Sequence, residues 1–180
     1  MPISDRTIKE LINKGDLLVT PLNFDNIGPA SVDLSLGNGF LVVDHHQMTN
    51  LSLDKPIHYR RIEGSRVIIP PHHFLLATTD EKVRLPNYIS GRIEGRSSIG
   101  RRGLFIQNAG WINPGFEGKL TLELYNANEL PIEVNSGRRV CQLILDFTDR
   151  PVENPYDGKY KGQSETMGSE AHKDRELKIE

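Results

Sequence analysis

The clearest pattern along the chain is the alternation Lys119-Leu120-Thr121-Leu122-Glu123-Leu124-Tyr125. Leucines at every second position predict a strand with Leu120, Leu122 and Leu124 facing a core, so Thr121, Glu123 and Tyr125 share the opposite face. Ser31-Val32-Asp33-Leu34-Ser35-Leu36-Gly37 alternates in the same way and groups Val32, Leu34 and Leu36. Shorter apolar runs follow the same logic at Leu17–Thr20, Phe40–Val43, Val67–Ile69, Phe74–Thr78, Val83–Leu85, Tyr88–Ile93, Leu104–Ile106, Ile132–Val134 and Val140–Phe147. A charged turn is expected after Thr78, and a polar, irregular stretch from Asp44 to Arg61. Helical periodicity is confined to 5–14, where Ile8, Leu11 and Ile12 form a stripe. Ser4 is the expected N-cap, Ile3 and Ile8 a hydrophobic staple, and Gly15 the C′ residue. Many short strands punctuated by glycine and proline, with no βαβ rhythm and no repeat, predict an all-β barrel or sandwich with short helices, including an N-terminal one.

At 180 residues the chain has room for one domain. The aliphatic pattern stops near Asp149, which divides it into a β domain over 1–150 and a C-terminal tail over 151–180. That tail holds two prolines and many charges, but also Tyr156-Asp157-Gly158-Lys159-Tyr160-Lys161-Gly162-Gln163. Two aromatics interleaved with two lysines suit stacking and phosphate contact, so the tail reads either as a disordered end or as a lid over a nucleotide.

A formal charge of −2 excludes a broad nucleic-acid or membrane footprint. No apolar run nears the roughly 20 residues that cross a bilayer, and the N-terminus carries no secretory pattern. The lone cysteine, Cys141, rules out an internal disulfide and fits a cytoplasmic protein. It also rules out the zinc site of nucleoside deaminases, which needs at least two cysteines. The six histidines lack metal-ligand spacing and read as surface residues. Hydrolytic chemistry here would fall to a carboxylate.

Candidate chemistry concentrates in residues 94–126. Gly95-Arg96-Ser97-Ser98-Ile99-Gly100-Arg101-Arg102-Gly103 sets three arginines and two serines among three glycines. Glycines admit an anion close to backbone N–H groups, and guanidinium forks and hydroxyls add donors. The stretch reads as a phosphate cradle or as a solvated turn, with a single helical turn expected from Ser97 to Arg102. Downstream, Glu123 is a lone acid on its strand face. Gln142, a polar residue in an apolar run, is expected either to bond to backbone or to join a site.

These segments, taken in order, are similar to the dCTP deaminase branch of the trimeric dUTPase superfamily. The resemblance rests on Ser31–Gly37, on Gly95-Arg96-Ser97-Ser98-Ile99-Gly100-Arg101, and on Ala109-Gly110-Trp111-Ile112-Asn113-Pro114-Gly115-Phe116-Glu117-Gly118. Leu122-Glu123-Leu124, Gln142-Leu143 and Lys159-Tyr160-Lys161-Gly162-Gln163 complete it. It implies a distorted β-barrel of the dUTPase-like type, assembled as a homotrimer with sites at subunit interfaces. The implied substrate is dCTP or dUTP carrying Mg2+ on its phosphates, and dTTP is a candidate feedback inhibitor. By position, Glu123 would be the general base, with Ser97 and Arg101 holding the water and the carboxylate. Arg96, Ser98, Tyr156, Lys159 and Gln163 would contact the triphosphate, and Gln142 belongs to the same nucleotide-binding set. Gln107, Asn108 and Ala109 would read the base. Ala109-Gly110-Trp111 resembles the members that carry dCTP through to dUMP. One-step deamination to dUTP, dUTP hydrolysis alone, and nucleotide binding without catalysis are the alternatives. Asn113 departs from the aspartate usual in the family; it can hydrogen-bond to a sugar hydroxyl or water but cannot act as a base. Ser164-Glu165-Thr166-Met167-Gly168-Ser169 also departs from the family's glycine–proline–threonine closure.

Overall fold

The computed structural model describes residues 1–106 and 110–174. Helix α1 spans Asp5–Lys14 and is followed by strands β1 (Leu18–Thr20), β2 (Ile27–Gly28), β3 (Ser31–Val43) and β4 (Tyr59–Glu63). Next come β5 (Arg66–Ile69), β6 (Phe74–Arg84), β7 (Ile89–Gly95), the short helix α2 (Ser97–Gly100), β8 (Leu104–Ile106) and β9 (Trp111–Ile112). The last strands are β10 (Glu117–Asn126), β11 (Ile132–Asn135) and β12 (Arg139–Phe147).

One antiparallel sheet runs β8-β10-β6-β3-β12-β7-β9, with β1 on β6 and with β2 and β4 on β3; β5 and β11 form a separate pair. The sheet curls into a distorted barrel around a single core that includes Val32, Leu34, Leu36, Phe40, Leu122, Leu124, Leu143 and Leu145. Helix α1 closes one side with Ile8 and Leu11. Gly15 takes the left-handed conformation at its end, as expected, whereas Ser4 makes no side-chain cap.

Strand β3 belongs to both halves of the curl. Its first part pairs with β12, Leu34 opposite Cys141, and its second with β6, Phe40 opposite Ala77. The strand turns this corner at Gly37, where a Cβ would lie 2.8 Å from Thr78 Cγ2 and 3.2 Å from the Thr78 carbonyl oxygen. The ladder with β6 shifts register between Leu36 and Phe40, and the ladder with β12 shifts just before the corner, where Arg139 and Cys141 oppose Ser35 and Leu34. Sequence had suggested two separate strands; the corner glycine lets one strand serve both.

The charged turn expected after Thr78 is also strand. Glu81 points inward with 4% of its surface exposed, and both carboxylate oxygens accept from the Ser35 N–H at 3.1 and 2.9 Å. The acid supplies an acceptor where the corner interrupts backbone pairing, and burial pushes its carboxyl above the usual glutamate range. Strand β4 begins within the stretch expected to be irregular and runs past its end, because its mostly exposed, polar residues carry no periodic signal.

Residues 151–174 lie back along the barrel. The Tyr156 and Gly162 N–H groups donate to the carbonyls of Pro114 and Glu117, and the Lys119 N–H donates to the Gln163 carbonyl at 2.8 Å. Farther on, Thr166 Oγ1 donates to the Gly39 carbonyl at 2.6 Å and Glu165 pairs with Arg61 at 2.9 Å.

Candidate active site

Strand β10 has the alternation read from its sequence: Leu120, Leu122 and Leu124 are buried, and Glu123 projects to the other face. Register sets Glu123 opposite Leu76 of β6, which fixes its height along the sheet. At the far end, Asn126 is fully buried and its Nδ2 serves the carbonyls of Ile69, Pro70 and Leu130.

Glu123 opens into a cavity of about 600 Å³, a size suited to a small-molecule ligand. Its walls are largely apolar: Leu76, Ile93, Ile106, Ile112 and Phe116 from the barrel, and Tyr156, Tyr160 and Met167 from the returning tail. Few polar side chains interrupt them, chiefly Glu123, Thr121, Asn113 and Gln163. Burial pushes the Glu123 carboxyl above the usual glutamate range, and no described cation stands close enough to oppose it. Among the described residues the carboxylate has no hydrogen-bond donor. A carboxyl in this setting can both take and return a proton.

The other polar groups have assigned geometry. Trp111 Nε1 donates to Asn113 Oδ1 at 3.1 Å, fixing that amide at the cavity edge. The Gln163 Nε2 group donates to the Lys119 carbonyl, which leaves Oε1 buried and, among the described residues, without a donor. The Phe116 and Tyr156 rings meet at a centroid separation of 5.8 Å, tilted by 45°. The Met167 N–H donates to Thr121 Oγ1 at 3.3 Å, and the Ser169 N–H to the Tyr59 hydroxyl at 3.2 Å, so the tail walls the cavity containing its own chain's Glu123.

The glycine–arginine stretch stands apart. Arg96, Ser97, Ser98, Arg101 and Gln142 do not line this cavity. Arg96 precedes α2 in extended conformation, and Ser97, Ser98 and Arg101 are exposed on that turn. Gln142 bonds to side chains rather than to backbone, donating to Ser31 Oγ at 3.3 Å and Asp33 Oδ1 at 3.2 Å. Lys159 is held within the tail by the Glu170 carbonyl at 3.0 Å and by Asp174, which raises the ammonium's pKa. Gln107, Asn108 and Ala109 lie outside the described residues.

The chain thus brings together Glu123, Asn113, Tyr156 and Gln163, and separately Arg96 with Gln142. Sequence reasoning had used Asp33 only as part of a strand pattern and had assigned no role to Thr121, Tyr59 or Met167. Only pairing register and the path of the tail bring them into view. Cys141 is buried and its thiol is pushed strongly upward, chiefly by desolvation, so it is not a thiolate ligand. No described cluster of three or more His, Cys, Asp or Glu residues is placed to hold a metal. No described helix is long and apolar enough to cross a membrane.

Residues 3–148 match the model of a family described as dCTP deaminase-like. The "dCTP deaminase, dUMP-forming" of Persephonella marina is 45% identical over 180 residues, covering 98% of this chain and all of that protein. The protein of the same name from Aquifex aeolicus is 45% identical over 187 residues and covers both chains completely. Among solved structures, the 2′-deoxycytidine 5′-triphosphate deaminase of Agrobacterium tumefaciens superposes with a TM-score of 0.65 at 21% identity. That match covers 82% of this chain and 48% of the other, so this chain spans about half of that protein. A dUTPase of Staphylococcus bacteriophage 80alpha gives a TM-score of 0.50 at 17% identity over 79% of this chain and 97% of its own. At these identities the two structures speak to the fold alone.

Proposed function

The chain belongs to the dCTP deaminase-like family, and on that premise we propose that it hydrolyses dCTP to dUMP, ammonia and diphosphate at one site. The observation that carries this reading is Glu123, a partly buried acid without a partner among the described residues, in an apolar cavity of nucleoside size. In the first step water attacks C4 of cytosine, and Glu123 accepts its proton as the new C–O bond forms. That proton passes to N3. The proton of the new hydroxyl then returns through the same carboxyl to the amino group, the C4–N4 bond breaks, and ammonia leaves. In the second step water attacks the α-phosphorus and displaces diphosphate. The relatives named dUMP-forming support this second step. Asn113, held by Trp111, keeps a hydrogen-bonding role toward the sugar or the attacking water.

Two further elements complete the reading. Arg96, Ser97, Ser98 and Arg101 lie outside the Glu123 cavity of their own chain, which supports a homotrimer in which one subunit's cradle faces its neighbour's carboxylate. Ser97 and Arg101 then orient the water and Glu123, while Arg96 and Ser98 meet the triphosphate with Gln142, Tyr156, Lys159 and Gln163. Backbone near Gln107, Asn108 and Ala109 reads the base. Residues 151–174 act as the lid. Magnesium enters on the substrate's phosphates and neutralises their charge, dTTP competes at the same site as a feedback ligand, and the enzyme works in the cytoplasm.

Incubation with dCTP and Mg2+, followed by chromatography of the nucleotides, tests the reading. We expect dUMP and ammonia in equal amounts. Accumulating dUTP would contradict the second step, and inert dCTP beside consumed dUTP would contradict deamination.

A further inference from the structure

Beyond the residues placed at the site above, we infer that Asp33 is a positioning residue and Arg139 a further triphosphate contact, the two forming with Arg96 a preset two-guanidinium clasp. The inference rests on the reading of Arg96 as a contact to the phosphate chain.

Asp33 sits on the polar face of β3, and only 12% of its side chain is exposed. Its Oδ2 forms an ion pair with Arg96 Nε at 3.3 Å and accepts from Arg139 Nη1 at 3.2 Å, while its Oδ1 accepts from Gln142 Nε2 at 3.2 Å. Arg96 Nη1 also donates to the Arg139 carbonyl at 3.3 Å, and Arg139 Nη1 to Asn26 Oδ1 at 3.4 Å. These contacts come from β3, β12 and the loop entering α2, so the clasp exists only once the sheet has formed.

A simple ion pair matches one cation to one carboxylate and leaves no net charge. Here two guanidinium groups share a single oxygen, each by one edge rather than by a two-pronged fork. The arrangement leaves a surplus positive charge. Among the described residues it also leaves Nη2 of both arginines without a protein acceptor. Neighbouring charges do not remove the surplus: Glu94, across from Gln142, lies 3.7 Å from Arg92, and Asp146 pairs with both Arg92 and the N-terminal ammonium, so two acids there are matched by two cations. Two like charges held side by side are relieved by an anion with several acceptor oxygens, and a phosphate chain can engage both free edges at once. Because Asp33 and Asn26 hold the arginine side chains before ligand arrives, less side-chain freedom is lost on binding.

Nucleotide affinity measured by calorimetry on Glu123→Gln protein, with Mg2+ and either dCTP or dCMP, tests the clasp. Arg139→Met should weaken dCTP by about tenfold or more while leaving dCMP within about twofold. Asp33→Asn, which keeps the shape but not the charge, should shift dCTP in the same direction and again spare dCMP; it serves where Arg139→Met does not fold. Equal losses for both nucleotides, or no loss for either, would overturn the clasp. Arg96→Met separates the two levels. If it weakens dCTP while Arg139→Met and Asp33→Asn do not, only this inference fails; if it too leaves dCTP unchanged, the reading of Arg96 fails first.

Discussion

Val32-Asp33-Leu34 and Leu122-Glu123-Leu124 are the same pattern: an acid on the polar face of a strand whose neighbours enter the core. The fold gives the two acids opposite surroundings. Asp33 meets two guanidinium groups and an amide, so its role is to hold cations. Glu123 faces apolar walls with no described donor, so its charge is disfavoured and its proton becomes exchangeable. Local pattern makes a carboxylate available; the elements packed around it decide whether it anchors or reacts.

The sharpest way to break this comparison is to make the acids equivalent. Glu123→Gln should lower ammonia release from dCTP by about 10²–10⁴-fold, the usual contribution of a positioned general base, while dCTP affinity changes little. Retained turnover would show that Glu123 is no more reactive than Asp33.

Gly37 tests the shared scaffold, since β3 carries Asp33 on one side of this corner and packs on β6 behind Glu123 on the other. Gly37→Ala forces a methyl against Thr78 and should destabilise the protein by about 1–3 kcal/mol in denaturant unfolding. A stability equal to that of the parent would show that the corner yields freely.

The smallest effect is the most diagnostic of environment. A base with a raised pKa must lose its proton to act, so kcat/KM for dCTP should fall with decreasing pH on a limb lying above the ordinary glutamate value of about 4.3. The same shift acts on stability with the opposite sense. Glu81 and Glu123 hold their protons more tightly folded than unfolded, so the fold loses stability as pH rises from the usual glutamate range through their raised values. A limb at the ordinary value would contradict the apolar setting assigned to Glu123.

What was legible in sequence was whatever one strand or helix writes by itself. The β10 alternation exposed Glu123, and Gly15 marked the end of α1, because each signal lies within a few residues. The single helical turn at α2 was legible from its serines and flanking glycines. Glu81 was misread because Thr79-Asp80-Glu81-Lys82 looks like a solvated turn, and its burial depends on the Ser35 N–H lying across the sheet. Asp33, Arg139 and Gln142 meet only through the pairing of β3 with β12. The seating of Met167 and Ser169 beside Thr121 and Tyr59 depends on a tail path that composition does not encode.

The central claim is that one chain's reactive acid works with another chain's cradle, and subunit mixing tests it most directly. Glu123→Gln and Arg101→Met chains should each assemble into inactive enzyme. Co-expressed in one cell, they should form mixed trimers in which some interfaces pair an intact Glu123 with an intact Arg101. The account predicts recovery of dCTP deamination in the purified mixture. Mixed trimers as inactive as either parent would contradict it.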